Sequence, residues 1–212
     1  MAIGPSAIAV TCSLLAWIQG PPGPVALPSL WGITVGSPIA EVERVLGAGV
    51  KFRREEGEGE SATRQCYQSG KAGDETIIVF VLAAFGRYEE AVTAFLVGRS
   101  TPSALLGAKC VRSEVVTRKM QLSNGLKLGD TESHVRRTLG VPTRSDPLQH
   151  TLEYKSTYHR DVGDRDRAAM LRAVGVQGAD RFRSVLGYQR VVVSLAKGRV
   201  VQIDVSLGEE WE

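Results

Sequence analysis

Apolar and polar positions alternate most regularly towards the C-terminal end of the chain. Ile203, Val205 and Leu207 alternate with polar residues, and the segments 188–195 and 200–207 flank a tight turn. Alternation with period two is typical of a strand with one buried face, so this pattern predicts a β-hairpin. Two further apolar runs, 76–82 and 91–97, predict a second hairpin because they are rich in β-branched and aromatic residues.

A longer pattern occurs twice in the chain. Residues 32–47 and 125–140 align without gaps as G-Φ-x-Φ-G-[SD]-x-x-x-x-V-x-R-x-L-G, in which Φ is aliphatic. The motif positions are Gly36, Ser37, Val42, Leu46 and Gly47 in the first copy and Gly129, Asp130, Val135, Leu139 and Gly140 in the second. An internal repeat of this kind indicates two related units in one chain.

Each copy of the motif predicts a short amphipathic helix of about nine residues. We expect Ser37 and Asp130 to be the N-caps, with Pro38 at the first helical position of the first helix. The valine and leucine of each motif are spaced i, i+4 and form one apolar stripe. The glycine after each leucine is expected to end its helix in a left-handed conformation.

A short candidate strand precedes each hairpin, at 64–69 and at 151–158. The predicted fold class is therefore α+β, with two tandem repeats that each contain a short helix followed by a three-stranded antiparallel sheet. The first repeat is assigned to residues 27–118 and the second to 119–212. A helical insertion is expected near 161–179, and the charge-rich segment 51–60 is predicted to be a mobile linker.

The helix motif, the following strand with its tyrosine and the hairpin resemble the small outer-membrane assembly lipoproteins of the SmpA/OmlA (BamE-like) type. The tandem arrangement is similar to the β-lactamase-inhibitor-protein fold, in which two such units form one concave surface. Both resemblances imply a protein-binding function. This chain departs from the lipoproteins because it lacks a convincing lipid-attachment motif, and from the inhibitor because its expected sheet has few aromatic residues.

The N-terminal segment 1–26 is apolar, and no charged residue occurs before Glu41. An apolar run that stops at a cluster of glycines and prolines is typical of an export signal, although no basic residue lies near Met1. A buried apolar arm and a membrane anchor are the alternatives, so membrane proximity through this segment stays open. The residues before Cys12 match a lipid-attachment site poorly.

Two cysteines, Cys66 and Cys110, remain outside the signal-like segment. In an oxidising compartment we expect them to form a disulfide that closes a loop of about 45 residues and stabilises the fold by about 3–4 kcal/mol. Two buried thiols in a reducing compartment are the alternative.

The composition is that of a globular protein, with 43% hydrophobic and 23% charged residues among 212. A net charge of +3 without a polybasic run does not favour nucleic-acid binding. Common hydrolase, zinc-protease, P-loop and dinucleotide motifs are absent from the sequence, and we expect neither a cofactor nor a bound metal.

These observations predict an exported, non-enzymatic module that binds another protein or has a structural role in the cell envelope. The alternative is a hydrolase or transferase with a site between the two sheets that uses His159 and the acidic cluster at Asp161. We expect His134 to have a capping or solvated role, and His150 not to share a metal with His159.

Overall fold

A computed structural model of the chain describes residues 26–56, 60–83, 90–99, 110–164, 167–168 and 184–211. The helices of this part are α1 (Ile39–Leu46) and α2 (Glu132–Leu139). The strands are β1 (Lys51–Glu56), β2 (Glu60–Ser69), β3 (Ile77–Leu82), β4 (Val92–Gly98), β5 (Val111–Ser113), β6 (Arg144–Asp146), β7 (Thr151–Asp161), β8 (Ser184–Ala196) and β9 (Arg199–Trp211).

All nine strands belong to one sheet, in the order β1-β2-β3-β4-β9-β8-β7-β6, with β5 paired to β2. The pairing is antiparallel throughout except between β2 and β5, which is parallel. Strand β3 occupies one edge of β2, so β1 and β5 lie end to end along the other edge. Both predicted hairpins are confirmed, as β3–β4 and as β8–β9.

The predicted fold class is wrong, because the chain does not form two three-stranded sheets. Strand β4 pairs with β9 from Ala94↔Ser206 to Gly98↔Gln202, and this pairing joins both halves of the chain into one sheet that contains the nine described strands and carries the two described helices. Separate sheets would have left the edges of β4 and β9 with unpaired main-chain groups. Joining them satisfies those groups and makes the apolar face continuous.

The prediction of a mobile linker at 51–60 is also wrong. Main-chain pairing from Lys51↔Gln65 to Glu56↔Glu60 makes residues 51–56 strand β1 and Glu60 the first residue of β2. A charge-rich sequence is compatible with this position because β1 is an edge strand, and edge strands commonly carry charged residues. Each helix is consequently followed by more strands than the three that the sequence predicted.

One hydrophobic core contains buried residues from both halves of the chain. Val42, Leu46 and Val135 of the two helices are 0%, 6% and 0% exposed, and Leu139 is partly buried against the same core. These side chains pack on the sheet face that carries Phe80 and other apolar residues of β2–β4 and β7–β9. Both described helices therefore cover the same face of the sheet.

The helix N-caps lie one residue later than predicted. Pro38 is the N-cap of α1 without a side-chain cap, and Thr131 caps α2 by accepting a hydrogen bond from the His134 amide at 3.3 Å. Ser37 and Asp130 instead accept bonds from the amides three residues before them, Thr34 at 3.1 Å and Lys127 at 2.9 Å. Their side chains stabilise the turn that enters each helix, so they are not available to cap it.

The glycine after each helix has a positive φ, as the motif predicts. Gly47 has φ 84° and ψ 171°, and Gly140 has φ 84° and ψ −147°. These ψ values differ from those of the expected left-handed helical conformation and lie in a region that only glycine adopts readily. Each glycine amide also donates to the carbonyl four residues earlier, Glu43 and Arg136 respectively.

The Cys66–Cys110 disulfide is confirmed, with the two Cα atoms 4.6 Å apart. The signal-like segment lies almost entirely outside the described residues, as does most of the helical insertion predicted near 161–179. Among the helices that the structure describes, none has the length and apolarity needed to span a membrane.

Candidate functional site

The candidate site is the sheet face opposite the two described helices, and we call it the open face because neither of these helices covers it. Side chains alternate between the two faces along each strand, so the register of the sheet decides which residues share it. One cross-strand row of the open face contains Arg64, Val81, Ala94, Ser206, Arg190 and Lys155. The next row contains Cys66, Val79, Leu96, Asp204, Val192 and Glu153.

Charged groups of the two rows interact near the middle of the sheet and towards β7. Arg190 Nε lies 2.7 Å from Glu153 Oε1, which links β8 to β7. Lys155 Nζ lies 4.6 Å from the centre of the Tyr188 ring, a cation–π contact. The Tyr188 ring covers Gly208 of β9, where a Cβ atom would overlap it. These contacts hold long side chains flat against the open face.

Asp204 lies between the two arginines and is half-buried. Burial raises the pKa of its carboxyl group above the ordinary value, while the Arg190 and Arg64 guanidinium groups and a hydrogen bond from Ser206 limit the rise. The Asp204 carboxyl group is therefore partly desolvated, and the neighbouring cations offset part of the cost of ionising it. Because desolvation is the largest cause of this shift, a partner that covers the face would change the pKa of Asp204 further.

An apolar cluster lies on the open face beside Arg64, around Cys66 of β2 and Val79 of β3. Cys66, Ile77 and Val79 form a small buried cluster, and Phe52, Leu96 and Cys110 pack against it. The disulfide lies within this cluster and joins β2 to the residue just before β5. Charged and apolar regions thus lie side by side on one surface.

A cavity of about 690 Å³ lies where the β2–β3 turn meets β5. Its lining includes Gln68, Lys71, Ile77 and Arg112. Asp74 also lines it, and although burial opposes ionisation, hydrogen bonds from Thr76 and from the Arg118 amide keep the pKa of Asp74 below its ordinary value. With this carboxylate already engaged and the lining groups of mixed charge, the cavity shows no arrangement typical of a catalytic centre.

A second polar cluster lies on the helix side of the sheet. Glu209 accepts hydrogen bonds from Tyr158 Oη at 3.1 Å and from Arg160 Nε and Nη2 at 3.1 and 2.7 Å. These residues come from β7 and β9, and β8 separates them. The contact is possible because β8 carries Gly187 at that position, where a Cβ atom would overlap the Tyr158 ring.

The repeat motif residues do not lie on the open face. They form the helices, the turns that enter them and the helix ends on the other side of the sheet. His159 and Asp161 are exposed on β7, and His150 lies in the turn before that strand with φ 53°. The cleft between two sheets that the enzymatic alternative required is absent from the described strands, because they form one sheet.

His134 lies on α2, with its Nε2 3.7 Å from Asp130 Oδ2. Within the described ranges, no group of three or more His, Cys, Asp or Glu residues is placed to hold a metal ion.

Of the charged residues on the open face, sequence reasoning singled out Asp161 at the end of β7, and none of those that interact near the middle of the sheet. The alternation in β9 does place Asp204 opposite the buried Ile203 and Val205. Its neighbours Arg64 and Arg190 come from other strands, and their approach depends on the β4–β9 pairing. No protein-family model, no curated protein and no solved structure matches this chain.

Proposed function

We propose that this chain is an exported, non-enzymatic binding module that recognises another protein with the open face of its sheet. The observation that supports this proposal is the asymmetry of the sheet. Both described helices pack on one face, and the other face presents half-buried charged and apolar residues side by side.

The chemistry of the open face favours a protein partner over a polyanion or a lipid surface. Basic Arg64, Arg190 and Lys155 are nearly balanced by Glu153 and Asp204, and one of the two carboxylates is already ion-paired. Nucleic-acid and anionic-membrane surfaces require an excess of positive charge. Protein interfaces instead combine apolar contacts with paired polar groups and arginines.

The disulfide supports the export part of the proposal. Disulfides such as Cys66–Cys110 persist in oxidising compartments and are rare in reducing ones. The charge-free segment before Glu41 is consistent with an export signal. The family resemblances of the repeat motif imply protein binding as well, which is the class of function proposed here.

A cross-linked pull-down from envelope extracts of the producing cell tests this proposal with a matched pair of variants. Val192→Arg introduces a bulky cation between Asp204 and Glu153, where neighbouring carboxylates can accept it, so the sheet should stay folded. Val141→Arg makes the same change at a valine outside the strands that is 73% exposed.

We expect Val192→Arg to reduce capture of the partner by about tenfold or more, because it disrupts the centre of the binding surface. Val141→Arg should leave capture unchanged. Equal capture by the native chain and by folded Val192→Arg would contradict the proposal, and so would selective loss with Val141→Arg.

A further inference from the structure

Strand β5 covers a part of the β2 edge that β1 leaves uncovered. β1 pairs with β2 as far as Gln65, and β5 pairs with it at Tyr67, Gln68 and Ser69. Only three residue pairs form this parallel contact. So short a parallel pairing contributes little by itself to holding a segment on the sheet.

Few other contacts hold β5 in place among the described residues. At its end, the Gly70 amide donates to the Ser113 carbonyl at 3.0 Å. Within β5, Arg112 is exposed and Ser113 is partly buried, and the partly buried Val111 is the residue of this strand that packs against the main core. The next fully buried side chain is that of Val116, three residues beyond the strand. At its start, Cys110 is bonded to Cys66.

We infer that β5 is a redox-sensitive strap: the Cys66–Cys110 bond holds it on the sheet, and reduction of that bond by a dithiol releases it. In this step the dithiol transfers two electrons and two protons to the S–S bond. The products are two cysteine thiols and the oxidised, disulfide form of the reductant. Cys110 is only partly buried, which gives the reductant access to the bond.

Release of the strap has a defined structural consequence. The main-chain donors and acceptors on the edge of β2 at Tyr67–Ser69 lose their partner strand. An open edge of this kind accepts a further strand from another chain. Release also removes Cys110 from the apolar cluster on the open face, so Cys66, which is 0% exposed, becomes accessible.

The test starts from the folded, oxidised full chain, so that failure to fold is not at issue. The bond is reduced in place with dithiothreitol, and amide hydrogen exchange is compared before and after. Strand β6 is the matched control, since it also has three residues at the end of the sheet and no disulfide. Alkylation of Cys66 by iodoacetamide is followed by peptide mapping, which separates it from Cys12 and Cys110.

We expect exchange at β5 and at the end of β2 to accelerate by about tenfold or more on reduction, with β6 unchanged and Cys66 alkylated. Continued protection of β5 and an unreactive Cys66 in the reduced protein would overturn the inference. Equal acceleration in β6 would also overturn it, because the bond would then stabilise the whole sheet instead of one strand. The test needs no partner, so its outcome is independent of the proposed protein-binding function.

Discussion

Two buried tyrosines occupy equivalent places in the two halves of the chain, but their hydroxyl groups have different surroundings. Tyr67 Oη lies 3.0 Å from the Gly47 carbonyl oxygen and 3.2 Å from Gln65 Oε1. Gln65 is oriented by its own amide group, which donates to Glu43 at 3.0 Å. Tyr154 is 1% exposed, and its hydroxyl group has no hydrogen-bond partner among the residues that the structure describes.

The sequence explains this difference once the structure is known. The residue two positions before Tyr67 is Gln65, whereas the residue two positions before Tyr154 is Leu152, which has no acceptor. The motif position of Glu43 is occupied by Arg136 in the second half. The polar group that serves the first tyrosine therefore has no counterpart beside the second.

We predict opposite effects when each tyrosine is replaced by phenylalanine. Tyr67→Phe removes the donor from two acceptors at a buried site and should lower the free energy of unfolding by about 1–2 kcal/mol. Tyr154→Phe removes a buried hydroxyl group that has no partner in the described part of the chain, so the free energy of unfolding should stay the same or rise by up to about 1–2 kcal/mol. The ring and its packing are retained in both variants.

Urea unfolding of the oxidised protein at neutral pH measures this difference directly, provided that the slope with denaturant is the same in each variant. The pH dependence gives an independent check. Burial and the nearby Glu43 carboxylate raise the pKa of Tyr67 to about 12. The stability that this raised pKa contributes is complete below pH 10, the ordinary tyrosine pKa, and is lost as the pH rises towards 12. The free energy of unfolding should therefore fall less over this pH range in Tyr67→Phe than in the native chain. Equal destabilisation by the two substitutions would refute the reasoning.

Val135→Asp should lower the free energy of unfolding by about 3 kcal/mol or more because it buries an unpaired carboxylate. Replacing the exposed neighbour in Arg136→Ala should lower it by at most about 0.5 kcal/mol, and equal losses in urea unfolding would show that the helix stripe is misassigned. Gly187→Val should cost about 1–3 kcal/mol and change the NMR signals of the Tyr158 ring that covers it, and unchanged signals would contradict this packing. The raised pKa of Asp204 means that ionising this carboxyl group opposes folding, so its contribution to stability is lost as the pH rises. Asp204→Asn should therefore raise the free energy of unfolding relative to the native chain more at pH 7 than at pH 3. Unfolding measurements at both pH values check the sign of this difference.

For the candidate site, the sequence predicts only the face of the sheet on which each residue lies. Period-two alternation places Asp204 on the face opposite the core, and the same reasoning applies to Glu153 and Arg190 on their own strands. Nothing in the pattern indicates that these three residues are neighbours. Their proximity depends on the order and register of β7, β8 and β9.

Local features were determined by the sequence alone. The stripe that buries Val42 and Val135, the hairpin of β8 and β9 and the glycines after both helices depend on residues a few positions apart, so periodicity and backbone preference are sufficient to predict them. The pairing of Cys66 with Cys110 followed from there being two cysteines outside the signal-like segment.

The tertiary structure alone decided how these parts are joined. Main-chain hydrogen bonds are nearly independent of side-chain identity, so the sequence of β4 does not indicate that its free edge pairs with β9. That one pairing turned two expected sheets into one and created a single open face. The same limit applies to Tyr154, because a missing hydrogen-bond acceptor becomes visible only when every neighbour of the buried hydroxyl group is known.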